Sequence, residues 1–255
     1  MKKLLSILLV MVISLSCMLV SCNDKCDDEQ KEDINAKSEG VMTYDQYAAA
    51  AAETEVVIEA YVQGKQAYSE AYGNTSLYLQ DGKGGYFVYR ISCTAEQYNT
   101  IKIGNKIKVT GYKDIWSGEH EIIDATFEIV AGNYVASPED VTALLGSEGL
   151  VNKQNILASF KNLTVVASNK KDDTTDYAFL YNWDGSGEQG NDIYFNVTDG
   201  TNTYNFCVET DLCNKDTDVY KAVEALNIGD KIDLEGFLYW YNGANPHITK
   251  VTKVG

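Results

Sequence analysis

Two stretches of this chain are versions of each other, so a fold that suits one must suit the other. Residues 101–118 read IKIGNKIKVTGYKDIWSG, and residues 226–243 read LNIGDKIDLEGFLYWYNG. At an offset of 125, six of 18 ungapped positions are identical: Ile103 with Ile228, Gly104 with Gly229, Lys106 with Lys231, Ile107 with Ile232, Gly111 with Gly236, and Gly118 with Gly243. Upstream, LYLQDGKGGYFVY around Asp81 and Gly82 parallels YFNVTDGTNTYNF around Asp199 and Gly200, at an offset of 118. Each Asp-Gly pair lies between alternating segments and predicts a hairpin, with glycine supplying positive φ.

The first unit can be parsed element by element. Thr43 and Gln46 form a capping box ahead of Tyr47 and the alanine run from Ala48 to Ala52. Val56, Ile58, Ala60 and Val62 alternate with Val57, Glu59, Tyr61 and Gln63, predicting a strand with one buried and one mostly polar face. Further strands are expected over 76–80, 85–91, 106–113 and 121–130, with a short helix over 94–100 and a turn at Ser117 and Gly118. Five strands with a helix between the third and fourth is the order of the OB-fold, a small closed Greek-key barrel. Gly111 falls where such a barrel must bend. The second unit repeats the order from about residue 156. Ser137, Pro138, Glu139 and Asp140 predict its opening helix, ending near Gly146. It carries extra chain near 167–192, expected to hold an additional strand and an exposed loop. The fold class is therefore all-β with short helices: two tandem OB-fold-like five-stranded barrels, over 42–134 and 135–255.

What precedes the barrels is of another kind. Lys2 and Lys3 lead an apolar run from Leu4 to Val20, closed by Leu19, Val20, Ser21 and Cys22. That is a secretory signal layout, too short to favour a membrane span. Its last four residues resemble the lipobox of bacterial lipoproteins, which implies that residues 1–21 are removed and that Cys22 is lipidated and becomes the mature N-terminus. Residues 22–41 hold seven acidic side chains and one large aliphatic residue, Ile34, before Val41; they are expected to be an acidic flexible tether. With Cys17 removed, Cys22 lipidated and Cys26 in the tether, Cys93, Cys207 and Cys213 remain, too few for a disulfide framework; a Cys207 to Cys213 bridge stays open.

The segments MTYDQY (42–47), VVIEAYVQGKQ (56–66), LYLQDGKGGYFVY (77–89) and KIKVTGYKDIWSGEHEIIDATFEI (106–129) carry a wider likeness. Through them the chain resembles bacterial cell-envelope lipoproteins with OB-fold repeats, closely over the first unit and loosely over the second. The resemblance implies a fold and an extracytoplasmic, lipid-anchored location at the cell envelope. It brings no ligand, cofactor or catalytic residue.

OB barrels bind ligands on the face of strands two and three, bordered by the loops after strands one and four. Outward positions there are expected to be Tyr78, Tyr86 and Arg90, with Tyr61 and Tyr112 beside them and Trp116 on the loop. The corresponding second-unit loop carries Tyr239, Trp240 and Tyr241, and Trp183 lies in the insertion. Flat rings at these positions stack on sugars or bases, while Trp116 and Trp240 could instead plug barrel ends. The formal charge of −16, with Arg90 as the only arginine, disfavours nucleic acid as a partner. The expected partners are the membrane, through the lipid, and a glycan or envelope protein. A structural or protein-interaction lipoprotein and a single-stranded nucleic-acid-binding OB protein are the alternatives.

Enzyme chemistry finds little footing. His120 and His247 are expected to be solvated, and the repeat does not preserve them. Glu119, Glu121 and Asp124 read as an exposed edge of β-structure, and no nucleophile, zinc or nucleotide motif is present. Asp184, Glu188 and Asp192 are a lesser calcium candidate, for which a polar hairpin loop is the favoured reading. Lys106, Lys108 and Lys113 read as a solvated face. No cofactor is expected.

Overall fold

The computed structural model describes residues 33–255. The expected signal peptide, Cys22 and the first part of the expected tether lie outside the described residues. Strands β1 (Glu55–Lys65), β2 (Asn74–Gln80), β3 (Gly85–Ser92), β4 (Asn105–Trp116) and β5 (Glu119–Asn133) close a barrel in the order β1-β2-β3-β5-β4. Closure comes from β4 returning antiparallel to β1 and from β3 meeting β5 in parallel at Phe87 and Val88. The second unit contains β6 (Glu139–Asp140), β7 (Leu157–Val166), β8 (Leu180–Tyr181), β9 (Ile193–Thr198), β10 (Thr203–Val208), β11 (Lys231–Phe237) and β12 (His247–Lys253). Here β7-β11-β12-β10-β9 form the same ring, closed by a β7–β9 pairing, with β6 and β8 as short additions. The chain is thus two tandem five-stranded barrels, as its repeat requires.

The repeated residues are backbone devices. Gly104 (φ +88) and Gly229 (φ +94) both take left-handed turns into the fourth strand of their barrel, where a Cβ would be strained. Gly111 and Gly236 sit where the fourth strand bulges against the fifth, and a Cβ on either would press on backbone across the ladder. The hairpins share a further device. Asp81 accepts from the N–H of Lys83 and Gly84 and from the Tyr86 hydroxyl, and Asp199 accepts from Thr201, Asn202 and Tyr204 in the same pattern. These are aspartate-held turns. Gly200 has the expected positive φ (+97) and Gly82 does not, although both hairpins turn over four residues.

Helix α1 (Tyr44–Ala49) carries the capping box of Thr43 and Gln46, and α2 (Ala95–Thr100) has a second one, Thr94 with Gln97. In the second barrel α3 (Asp218–Glu224) stands where α2 does in the first. The helix expected from Ser137 to Gly146 is absent. Asp140 accepts from Thr142, and Glu139 and Asp140 pair with β7, so only 3-10 turns follow, at Thr142–Leu144 and Glu148–Lys153. The insertion contributes the two-residue β8 and an exposed loop.

Alternation placed Val56, Ile58, Ala60 and Val62 inside correctly, but the opposite face of β1 is covered too. Glu59, Tyr61 and Gln63 are all buried. Lys106 forms an ion pair with Glu59 at 3.2 Å and donates to the Ala36 carbonyl, while Lys37 pairs with Asp81. Residues 33–41, at the end of the expected tether, are therefore bound to the first barrel. Lys113 is buried as well and donates to the carbonyls of Tyr47 and Ala48 at the end of α1. Of the lysines expected on a solvated face, only Lys108 has that character.

The barrels meet along an aromatic seam. The Tyr78 ring stacks on Phe237 with centroids 4.2 Å apart and planes 5° off parallel, Phe87 packs on both Tyr78 and Tyr239, and the Tyr78 hydroxyl lies 2.9 Å from Nδ1 of His247. At one end Gly85 of β3 lies directly on the Asn155 carbonyl and the Ile156 nitrogen of the second unit. A methyl group there has no room, and the atoms facing it are backbone that cannot rotate away. We expect Gly85→Ala to lower stability by about 1–3 kcal/mol, as overpacking does, and to split one cooperative calorimetric transition into two as the barrels uncouple. A Gly200→Asn control at an open turn should leave the single transition in place.

Candidate functional site

Beside the seam the two barrels leave a cleft of about 1040 Å³, and a second of about 490 Å³ adjoins it. Tyr89, Arg90 and Tyr239 line both. Two bulges aim residues into this region. Ser76 on β2 faces both Tyr89 and Arg90 on β3, and Gly111 on β4 faces both Asp124 and Ala125 on β5. Arg90 (φ +48) and Asp124 (φ +49) are the extra, left-handed residues. For a side chain bearing a Cβ this conformation is costly, and bulges of this kind re-aim side chains next to binding sites.

The larger cleft is walled by rings from both barrels: Tyr72 and Tyr89 on one side, Tyr194, Tyr239 and Tyr241 on the other, with Trp183 from the insertion. Trp183 is 76% exposed, so nothing in the described residues covers its ring. Arg90 lies over the rings of Tyr89 (4.8 Å) and Tyr72 (5.9 Å). Asn205 and Asn245 supply polar edges and are hydrogen-bonded to each other. Glu209 accepts from Gln66 and from the Leu212 N–H, and burial, with Asp192 and Asp211 nearby, raises its carboxyl to about 7. The arrangement can hold flat rings by stacking and satisfy their edges by hydrogen bonds.

Several expected ligand residues are instead structural. Tyr61, Tyr78 and Tyr86 are fully buried. Tyr61 packs on Tyr134, Tyr78 is the centre of the seam, and Tyr86 fits between Tyr44 and Tyr47 with its hydroxyl on Asp81. The face that alternation turns outward is covered by α1, by residues 33–41 and by the second barrel. Tyr112 is exposed but lines neither cleft. Trp240 is half-buried against the second core with its ring over Gly118, as a plug would be, whereas Trp116 is 57% exposed and lines the smaller cleft. Arg90, Trp183, Tyr239 and Tyr241 do come together. Tyr89 and Tyr194 were missed by sequence reasoning. Tyr194 could have been found, because it alternates outward with Asn196 and Thr198 on the second strand of the second barrel.

The histidines and carboxylates also differ from expectation. His247 is buried in the seam, which pushes it down to about 3. Glu119 and Glu121, expected at a solvated edge, are buried too. Glu119 bridges the barrels, accepting from Asn155 Nδ2 at 2.5 Å and from the Trp240 N–H at 2.8 Å, and burial raises it to about 8. In the insertion, Asp184 accepts from the Ser186 N–H, Asp192 from Thr210, and the Glu188 N–H donates to Asn191. Among the described residues no three His, Cys, Asp or Glu side chains are grouped to hold a metal ion. Cys93, Cys207 and Cys213 are free, buried thiols.

No known family and no curated protein matches the chain. Solved structures do resemble it. A replication protein A heterotrimer bound to ssDNA is 19% identical over 34% of this chain and 63% of that one, with a TM-score of 0.26. A murine DNA-binding protein bound to dsDNA is 15% identical over 78% and 99%, with a TM-score of 0.35. The Ifi202 HINa domain with a 20-bp dsDNA is 12% identical over 80% and 97%, at 0.33. The chain thus spans less than two thirds of the replication protein A chain. The likeness is one of fold. The sequence reading set nucleic acid aside for the membrane and a glycan or envelope protein, whereas these similar structures are DNA complexes.

The two displaced titrations bracket the stability of the seam. Glu119 ordinarily titrates near 4.5 and here near 8, so its contribution is complete below 4.5 and is lost as pH rises through 8. His247 ordinarily titrates near 6.5 and here near 3, so its contribution is complete above 6.5 and is lost as pH falls toward 3. Glu121 and Glu209, raised to about 7 chiefly by burial, lose their contributions over the same alkaline range, so urea midpoints should be highest near pH 4.5 and fall on both sides, by about 1.4 kcal/mol per pH unit for each proton that separates the folded and unfolded chains. Glu119→Gln should make the alkaline fall shallower and leave the acid side unchanged.

Proposed function

We propose that the two barrels are a non-catalytic binding module that takes single-stranded nucleic acid in the larger cleft. One observation carries this reading: the only arginine is held in a strained, exposed position among rings of both barrels, which line the same cleft. Bases stack on tyrosine and tryptophan faces, and a guanidinium beside them meets a phosphate. The net charge of −16 is the whole chain's and acts mainly as a screened background, since charges beyond about 8 Å are damped at physiological salt. With Arg90 as the one cation lining the cleft, such binding rests on stacking more than on phosphate contacts.

Short single-stranded DNA and RNA of 4–16 nucleotides, followed by fluorescence anisotropy, test the reading. Tyr239→Ala should weaken binding about tenfold, since stacking on one ring is worth about 1–3 kcal/mol. The salt dependence should be shallow, with a log–log slope near −0.7, the value for about one phosphate contact on a single strand. Absence of binding at low salt, or a slope several times steeper, would overturn it.

We infer further that the chain is exported and anchored outside the cytoplasm at the cell envelope through lipid on Cys22, a reading supported by the sequence from Leu19 to Cys22. Cys22→Ala produced in a lipoprotein-processing bacterium should leave the detergent phase. Unchanged partitioning would remove the anchor.

A further inference from the structure

The smaller cleft has a chemistry of its own. Glu121 is only 5% exposed and lines it, yet no hydrogen-bond donor reaches its carboxylate among the described residues. Its oxygens open onto the cleft rather than into the packed interior, so a ligand entering there meets an unpaired carboxylate. Asp114 and Asp124 line the same space, and Trp116, Tyr89 and Tyr239 give it aromatic walls. Arg90 does not balance these charges where they face the cleft: its guanidinium leans over Tyr89 and toward Tyr72, and Tyr72 belongs to the larger cleft alone. What remains is an acidic pocket walled by rings, beside a carboxylate that lacks a donor.

We propose that this cleft is a binding site for an organic ammonium group, with Glu121 as its direct acceptor and the Trp116, Tyr89 and Tyr239 rings around its alkyl portion. An ammonium carries N–H donors for the carboxylate, and its charge is attracted to aromatic faces at the same time. A bare divalent ion would gain the carboxylates but leave the rings unused. A neutral ligand would leave Glu121 without its counter-charge. The site shares Tyr89, Arg90 and Tyr239 with the larger cleft, but the ammonium proposal does not rest on the nucleic-acid reading.

Isothermal titration of the protein with 1,4-diaminobutane at pH 8, where Glu121 is ionised, tests the proposal, with the exposed Trp116 as a fluorescence reporter. A saturable site with 1:1 stoichiometry is expected. Glu121→Gln, which keeps the shape of the side chain, should weaken it at least tenfold, and Trp116→Ala about fivefold, while Glu148→Gln at a distant exposed position should leave it unchanged. Far-ultraviolet dichroism and melting of each variant guard against loss of fold, and Asp114→Asn is the second carboxylate variant should Glu121→Gln melt early. The proposal is overturned if no saturable binding occurs, if the distant variant weakens binding as much as Glu121→Gln does, or if magnesium competes at equal concentration. A loss of oligonucleotide binding in the larger cleft with diamine binding intact would remove the other reading and leave this one standing.

Discussion

The stacked pair of Tyr78 and Phe237 holds the rest in place. Each ring grows from a strand of a different barrel, and both are buried. An offset or tilted arrangement is the common one for aromatic pairs; here the near-parallel planes are enforced from both sides, by Phe87 against Tyr78 and by Gly64, where a Cβ would collide with Phe237. His247 is tied to the Tyr78 hydroxyl and stacks on Tyr239 at 4.3 Å, so the seam extends without a break to the ring that lines both clefts. The clefts therefore inherit their width from the packing of apolar rings. A site between two domains is as rigid as the contact that joins them, and across this junction Glu119 accepts from Asn155 and Trp240 and Gln154 donates to the Gly118 carbonyl.

Much of the fold was legible because the repeat marks positions where the backbone tolerates little change. Gly104 and Gly229 need a left-handed turn, Gly111 and Gly236 need close approach, and both demands are local enough to be read as glycine in one chain. The seam was not legible, for a reason inherent in alternation. A period of two says which side chains share a face, but it does not say whether a second domain covers that face. Tyr78 and Tyr86 point away from the β1 interior in the pattern, and the pattern holds no information about α1, Lys37 or the second barrel lying over them. Tyr89 was hidden for a related reason: a bulge adds one residue, and every side chain beyond it changes side.

The buried acids show how sequence separation misleads electrostatic reading. Glu119, Glu121 and Asp124 look like a water-facing edge because they are close in sequence and charged. In the fold Glu119 serves the junction, Glu121 lines a cleft without a donor, and only Asp124 meets solvent freely. Their environments separate them although the strand is continuous. The same division appears among the lysines of β4, where Lys106 and Lys113 tie down flanking chain and Lys108 remains outside.

Comparison of equivalent positions explains why two barrels associate through these faces in particular. Tyr78 and Phe87, the first barrel's share of the seam, correspond at an offset of 118 to Asn196 and Asn205, which are bonded to each other beside open space. Phe237, the second barrel's share, corresponds at an offset of 125 to Tyr112, which is exposed. The contact is therefore heterologous: one face of the first unit meets a different face of the second. Such contacts do not close on themselves and can in principle repeat without end. The second unit does not present the same face again, because it has asparagine where the first has its apolar rings. That difference leaves the polar edge of Asn205 beside Tyr194 at the larger cleft, so the face that forms the seam in the first unit lines the cleft in the second.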